Sequence, residues 1–123
     1  MPVAGEETQK VEWHPWTQKE MESLLASGQP VYIDFTAKWC LTCQLNKSRA
    51  YPPEIVKLMK DKKVVAMKAD KTNTNPEIEA KLKELGRTAI PVNVLYIPGQ
   101  PEPIITPELL SPDVLKELFG KIP

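Results

Sequence analysis

Two cysteines and one histidine are all the thiols and imidazoles that this chain of 123 residues holds. Two cysteines are too few to scaffold a small disulfide-rich protein. With a single histidine they also fall short of the four ligands that a structural zinc site takes. Charge of one sign is not in surplus either. Lysine plus arginine number 16, as do aspartate plus glutamate, so the net charge is zero. Bulk charge therefore builds no nucleic-acid or membrane surface, and no nucleic-acid partner is expected. Long apolar runs are missing as well. Val92 to Ile97 is strand-sized and interrupted by Asn93, far from the roughly 20 residues that cross a bilayer. The opening MPVAGEETQK lacks the apolar core of a secretory signal.

What is present belongs to an ordinary globular protein, 41% hydrophobic and 26% charged. The length suits one domain with a real core. Residues 1–10 are polar and are expected to form a flexible segment, followed by a single domain over 11–123. Thirteen prolines fall singly or in pairs where elements should begin or end, so they read as punctuation.

Thr17 to Glu20 has capping-box spacing, and Met21, Leu24 and Leu25 follow at helical intervals until Gly28 and Pro30. Val31 to Thr36 is β-branched and aromatic and reads as a buried strand. A helix is expected from about Cys40 to Arg49, broken by Pro52 and resumed from Pro53 through Ile55, Val56 and Met59. Lys63 to Ala69 reads as a strand. Asn75 and Pro76 then open a helix striped by Ile78, Leu82 and Leu85 and closed by Gly86. Val92 to Ile97 and Pro103 to Thr106 flank a turn at Pro98–Pro101, and Ser111 caps a last helix. The order α, β, α, β, α, β, β, α predicts an α/β fold. Its sheet is mixed, with parallel first strands, an antiparallel C-terminal hairpin and flanking helices.

Cys40-Leu41-Thr42-Cys43 follows a strand and opens a helix. Positions i and i+3 share a helix face, so the sulfurs can bond each other. The first cysteine meets unpaired N–H groups and the positive helix end, which favour thiolate. Such pairs have thiol pKa values lowered from about 8.5 to between about 3.5 and 7.5. Three readings compete. A metal site would have to use Cys40, Cys43 and the distant His14. A purely structural staple would close a tiny loop and stabilise little. A redox dithiol fits the strand–CxxC–helix context, with Cys40 attacking, Cys43 resolving, and the disulfide itself as the only redox group.

Two further residues stand out. Asp34 interrupts an apolar strand, and a buried carboxylate is expensive. It is either an outward-facing strand residue, opposite Ile33 and Phe35, or a buried acid that moves protons to and from Cys43. Ile90-Pro91 opens a strand, where an ordinary trans proline is the default. His14, between Trp13 and Trp16, reads as packing or surface, and Asp70 to Asn75 as a loop supplying capping oxygens.

The segments VYIDFTAKWCLTCQLNK, KADKTNTNPEIEAKLKELGRTAIPVNVLY and PGQPEPIITPELLSPDVLKEL span most of residues 31 to 118. They resemble thioredoxin-fold proteins. More closely, they resemble the C-terminal periplasmic thioredoxin-like domain of the DsbD family of thiol:disulfide interchange proteins. The resemblance implies a thioredoxin fold with Cys40 as nucleophile, Cys43 as resolving thiol, Asp34 as the buried acid and Pro91 as a cis-proline facing the cysteines. Trp39, Lys38, Lys47 and Ile90 would surround them. It further implies a monomeric periplasmic domain of an inner-membrane protein that takes electrons from a membrane-embedded domain. Those electrons would pass to a periplasmic thiol protein, with cytochrome c biogenesis among the processes served. A free-standing thioredoxin-like oxidase or isomerase is the alternative, and a metal-handling module a more distant one. Where relatives commonly carry acids, this chain has Lys38 and Lys47, and Lys71 stands where many have tryptophan. Both Lys38 and Lys47 are expected on the surface, making the surroundings of Cys40 more positive and favouring its thiolate.

Overall fold

In the computed structural model, residues 10–123 are described; the expected flexible segment over 1–10 lies outside them except for Lys10. The helices are α1 (Gln18–Ala26), α2 (Leu41–Arg49), α3 (Pro53–Asp61), α4 (Pro76–Glu84) and α5 (Pro112–Gly120). The strands are β1 (Trp13–Pro15), β2 (Val31–Thr36), β3 (Val65–Asp70), β4 (Val92–Tyr96) and β5 (Ile104–Ile105). The helix starts follow local chemistry. Thr17, Asn75 and Ser111 each accept a backbone N–H of the first turn through their side-chain oxygen. Proline holds the first helical position of α3, α4 and α5. Gly28 and Gly86, with φ of 91° and 75°, end α1 and α4 in the left-handed region that glycine enters without strain.

The strands form one sheet in the order β1-β3-β2-β4-β5. β1 and β2 both run parallel to β3, while β4 is antiparallel to β2 and β5 to β4. This is the thioredoxin fold, a mixed sheet flanked by helices. Strand β1 departs from expectation, since the sequence offered no strand before the first helix. Only three residues long, with Pro15 at the sheet edge, it carries no alternation to read. A remote partner, β3, creates it. Trp13 then packs edge-on against Tyr51, with ring centroids 5.5 Å apart.

Strand β2 is central, and all six of its residues are buried. Its alternation divides the core. Ile33 and Phe35 join Met67, Val94, Ile78 and Leu82 on one side. Tyr32 joins Ala66, Leu95, Ile55, Leu115 and Phe119 on the other. Asp34 and Thr36 share the Tyr32 side by period-2 alternation. That face is therefore apolar at one end of the strand and polar at the end leading into the cysteines.

Candidate functional site

Four residues after the end of β2, Cys40 caps helix α2. It is extended, with φ −94° and ψ 104°, and its Sγ accepts the Cys43 backbone N–H at 3.2 Å. The Cys40 and Cys43 Cα atoms are 5.3 Å apart and the sulfurs are bonded as a disulfide. Both cysteines are buried, Cys40 to 7% exposure and Cys43 to 2%. The Ala37 carbonyl accepts the Cys40 N–H and the Gln44 side-chain amide, which closes the first turn. On the outside, Trp39 is 60% and Leu41 84% exposed. The disulfide thus sits in an apolar rim.

The two residues before Cys40 are fastened to the loop after β3. Lys38 N–H donates to Thr72 Oγ1 at 2.9 Å, and Trp39 Nε1 donates to the Thr72 carbonyl at 3.3 Å. Thr72 in turn donates to Asp70 Oδ1 through both its backbone N–H and its hydroxyl. Burial pushes the Asp70 carboxyl up, but these bonds, with Lys68 and Lys38 nearby, hold it below its ordinary value. The sequence reading gave this loop only capping oxygens. Asn75 does cap α4, while Thr72 and Asp70 brace the cysteine loop. No local signal marked this bracing, because Lys38 and Trp39 lie more than 30 residues from Thr72.

Asp34 is 5% exposed. The outward-facing alternative is excluded because helices cover both faces of β2. Directly across from it in β4 stands Asn93, whose Nδ2 donates to Asp34 Oδ1 at 3.0 Å. Burial raises the Asp34 carboxyl from 3.8 to about 6; Lys47, the Asn93 bond and Lys68 oppose the rise, and Asp70 adds to it. Lys47 lies one turn after Cys43 on α2, and its charge reaches Asp34. Asn93 was visible in the sequence only as a break in an apolar run. It is the same signal that marked Asp34.

The Ile90–Pro91 peptide bond is cis. Pro91 leads into β4, and Ile90 packs on the cluster of Ala37, Cys40 and Cys43. A cleft of about 310 Å³ opens beside them, lined by Arg87, Ile90, Pro91, Thr106 and Glu108 among others. Cys40, Cys43, Trp39, Lys38, Pro91 and Ile90 are thus assembled at one end of the sheet, with Asp34 in β2, the strand that leads to the cysteines, and Lys47 one turn after Cys43 on α2. Lys38 is exposed as expected, whereas Lys47 is half-buried. The difference arises because the Lys47 stem lies on the helix face that covers the sheet. Among the described residues no group of three or more histidine, cysteine or acidic side chains is placed to hold a metal.

The Lys47–Asp34 interaction has a direct consequence. Lys47→Glu should move the Asp34 ionisation above about 6, and more so at low ionic strength, since a half-buried charge is partly screened. Carbon-13 NMR titration of the Asp34 carboxyl in the oxidised protein measures it. An unmoved midpoint would show that Lys47 does not act on Asp34.

Comparison with known proteins agrees with this geometry. A family model described as Thioredoxin-like matches residues 12–98. The thiol:disulfide interchange protein DsbD of Campylobacter jejuni (strain RM1221) is 28% identical over 98 residues, 79% of this chain and 17% of that protein. The chain therefore spans only about a sixth of the length of that relative. A thioredoxin of Griffithsia pacifica is 38% identical over 80 residues, 64% of this chain and 66% of that one. The crystal structure of the oxidised Neisseria meningitidis DsbD C-terminal domain matches in fold with TM-score 0.67 and 21% identity, covering 91% of this chain and 100% of that one. No described helix is long and apolar enough to cross a membrane. With a CxxC disulfide capable of thiol–disulfide exchange at the start of α2, and the family match extending from β1 past β4, this chain belongs to the thioredoxin-like family.

Proposed function

We propose that the domain is a thiol–disulfide oxidoreductase that works as an electron shuttle in the periplasm, as a reductant. Its electrons come from a membrane-embedded partner domain and go to a periplasmic thiol protein. The observation that carries this reading is the Cys40–Cys43 disulfide at the N-terminus of α2, with Ile90 packed against it and the cis Ile90–Pro91 bond next in the chain. The printed name of the Campylobacter relative, a thiol:disulfide interchange protein, supports it.

In the reduced domain the Cys40 thiolate attacks a partner disulfide. One partner sulfur leaves with the bonding pair, and a mixed disulfide to Cys40 remains. Cys43 gives its proton to Asp34, and its sulfur then attacks Cys40 Sγ. The second partner sulfur leaves. Two electrons have passed to the partner, and the Cys40–Cys43 disulfide has re-formed. The backbone beside Pro91, with the adjoining cleft, is the edge along which an extended partner segment would lie.

Lys38 and Lys47 favour a second reading, a free-standing oxidase or isomerase. Positive charge near Cys40 stabilises its thiolate, and a stabilised reduced form makes a disulfide more oxidising. Equilibration with glutathione buffers decides between them. A reductant should have a midpoint below the glutathione pool, at about −220 to −260 mV or lower. A midpoint near about −120 mV, the range of a strong oxidant, would replace the first reading with the second.

A further inference from the structure

Asn93 is a buried amide in the central run of β4, on the sheet face it shares with Leu95 and Asp34. Such a group is costly unless paired. The amide interacts with the neighbouring Tyr32 hydroxyl, and its Nδ2 donates to Asp34 Oδ1 at 3.0 Å. That bond also fixes the amide orientation, because only the Nδ2 side can donate to a carboxylate. The other charged and titratable groups that interact with Asp34 are Lys47 on α2, Lys68 and Asp70 on β3, Tyr32 on β2 itself, and Tyr51 between α2 and α3. None of them is hydrogen-bonded to it, and they act through space. Among the described residues, Asn93 is the side chain that donates a hydrogen bond to the carboxylate.

We propose that Asn93 is a positioning residue for thiol exchange: by donating to Oδ1 it fixes the Asp34 carboxylate and leaves Oδ2 as the oxygen that receives the Cys43 proton. The inference rests on the reading of Asp34 as proton acceptor. The proton passes from Cys43 Sγ to Asp34 Oδ2. The electron pair left on Sγ forms the bond to Cys40, and the bond between Cys40 and the partner breaks with its pair on the partner sulfur. A hydrogen bond to the anion also keeps Asp34 ionised at neutral pH, where an acceptor must be empty to work. Without the bond, burial would leave the site already protonated.

The test uses Asn93→Leu, alone and combined with Asp34→Asn, in this chain. Asp34 is titrated by carbon-13 NMR in the oxidised protein. The resolving step is followed in stopped flow as release of the second coloured aryl thiolate from an aryl disulfide. Loss of a hydrogen bond to a charged group should raise the Asp34 midpoint by about one to two pH units. The pH below which resolution slows should move up equally, and the rates should converge at high pH. In the Asp34→Asn background Asn93→Leu should change the rate less than about twofold, because its route of action is gone. If Asn93→Leu does not fold, the shorter Asn93→Val is read the same way. An unmoved midpoint, or an equal rate penalty with and without Asp34, overturns the role of Asn93 alone. An Asp34→Asn protein resolving at the wild-type rate overturns the proton-acceptor reading, and the proposal with it.

Discussion

Cys43→Ser should accumulate as a covalent adduct with its partner, joined through Cys40, and turnover should fall by more than about a thousandfold. The two sulfurs are not equivalent. Cys40 caps α2, so its sulfur accepts a backbone N–H and meets the positive helix end, both of which favour the attacking thiolate. Its neighbours Trp39 and Leu41 form the exposed rim that a partner would touch. Cys43 is deeper, one turn into the helix, and held at a Cα distance of 5.3 Å. Intramolecular attack from that position has an effective concentration that no free thiol at millimolar levels can match. Without it the mixed disulfide has no exit. Cys40→Ser should form no adduct at all. Non-reducing gels and intact mass spectrometry of both variants after mixing with a disulfide-bonded protein give the answer. Adducts from Cys40→Ser but not from Cys43→Ser would reverse the roles.

Asp34→Asn should make the oxidised protein more stable and slower at once. The Asp34 carboxyl titrates at about 6 when folded, against an ordinary 3.8. The folded state therefore holds this proton more tightly than the unfolded one. Its stabilising effect is complete below about 3.8 and is lost as pH rises through about 6. A gap of this size corresponds to roughly 3 kcal/mol at pH 8. An asparagine cannot ionise and escapes that cost, so the urea midpoint at pH 8 should rise by about 1 to 2 M. At pH 3.5 the two proteins should unfold alike. Exchange should move the other way. A free thiol is only a few per cent thiolate at pH 7, so losing the base should slow resolution by roughly tenfold to thirtyfold. Urea titrations at the two pH values, with stopped-flow exchange at pH 7, measure both effects. Equal urea midpoints at pH 8 would mean that Asp34 is not destabilising when charged.

The elements legible in the sequence are those whose signals are local. Thr17, Asn75 and Ser111 announce their helices through side chains that bond within the next turn. Cys40 and Cys43 are legible for the same reason, being one helical turn apart. Strand β1 was not, because its pairing partner β3 lies some fifty residues away. Asp34 shows the limit most clearly. Alternation correctly sets it opposite Ile33 and Phe35, but alternation says nothing of what covers each face. With helices on both sides the second face is as dry as the first. Asn93 carried the same interrupted-strand signal as Asp34. Its meaning depends on a register that pairs the two residues across β2 and β4. Lys47 was expected in water, and the tertiary packing of α2 turned it toward Asp34 instead.

Asn46, in the middle of α2, is buried and donates to the Glu108 carbonyl at 2.9 Å while accepting the Leu110 N–H at 3.0 Å. The match to the family ends at residue 98, so this fork reaches past it. A shortened chain stopping at that boundary would strand both ends of a buried amide, each a loss of about 1 to 3 kcal/mol. It would also strip Leu115, Leu118 and Phe119 from the core beside Tyr32. For anyone grafting this redox unit into another protein, the smallest transferable piece therefore runs through α5. The helix that carries the cysteines is keyed to the far end of the chain.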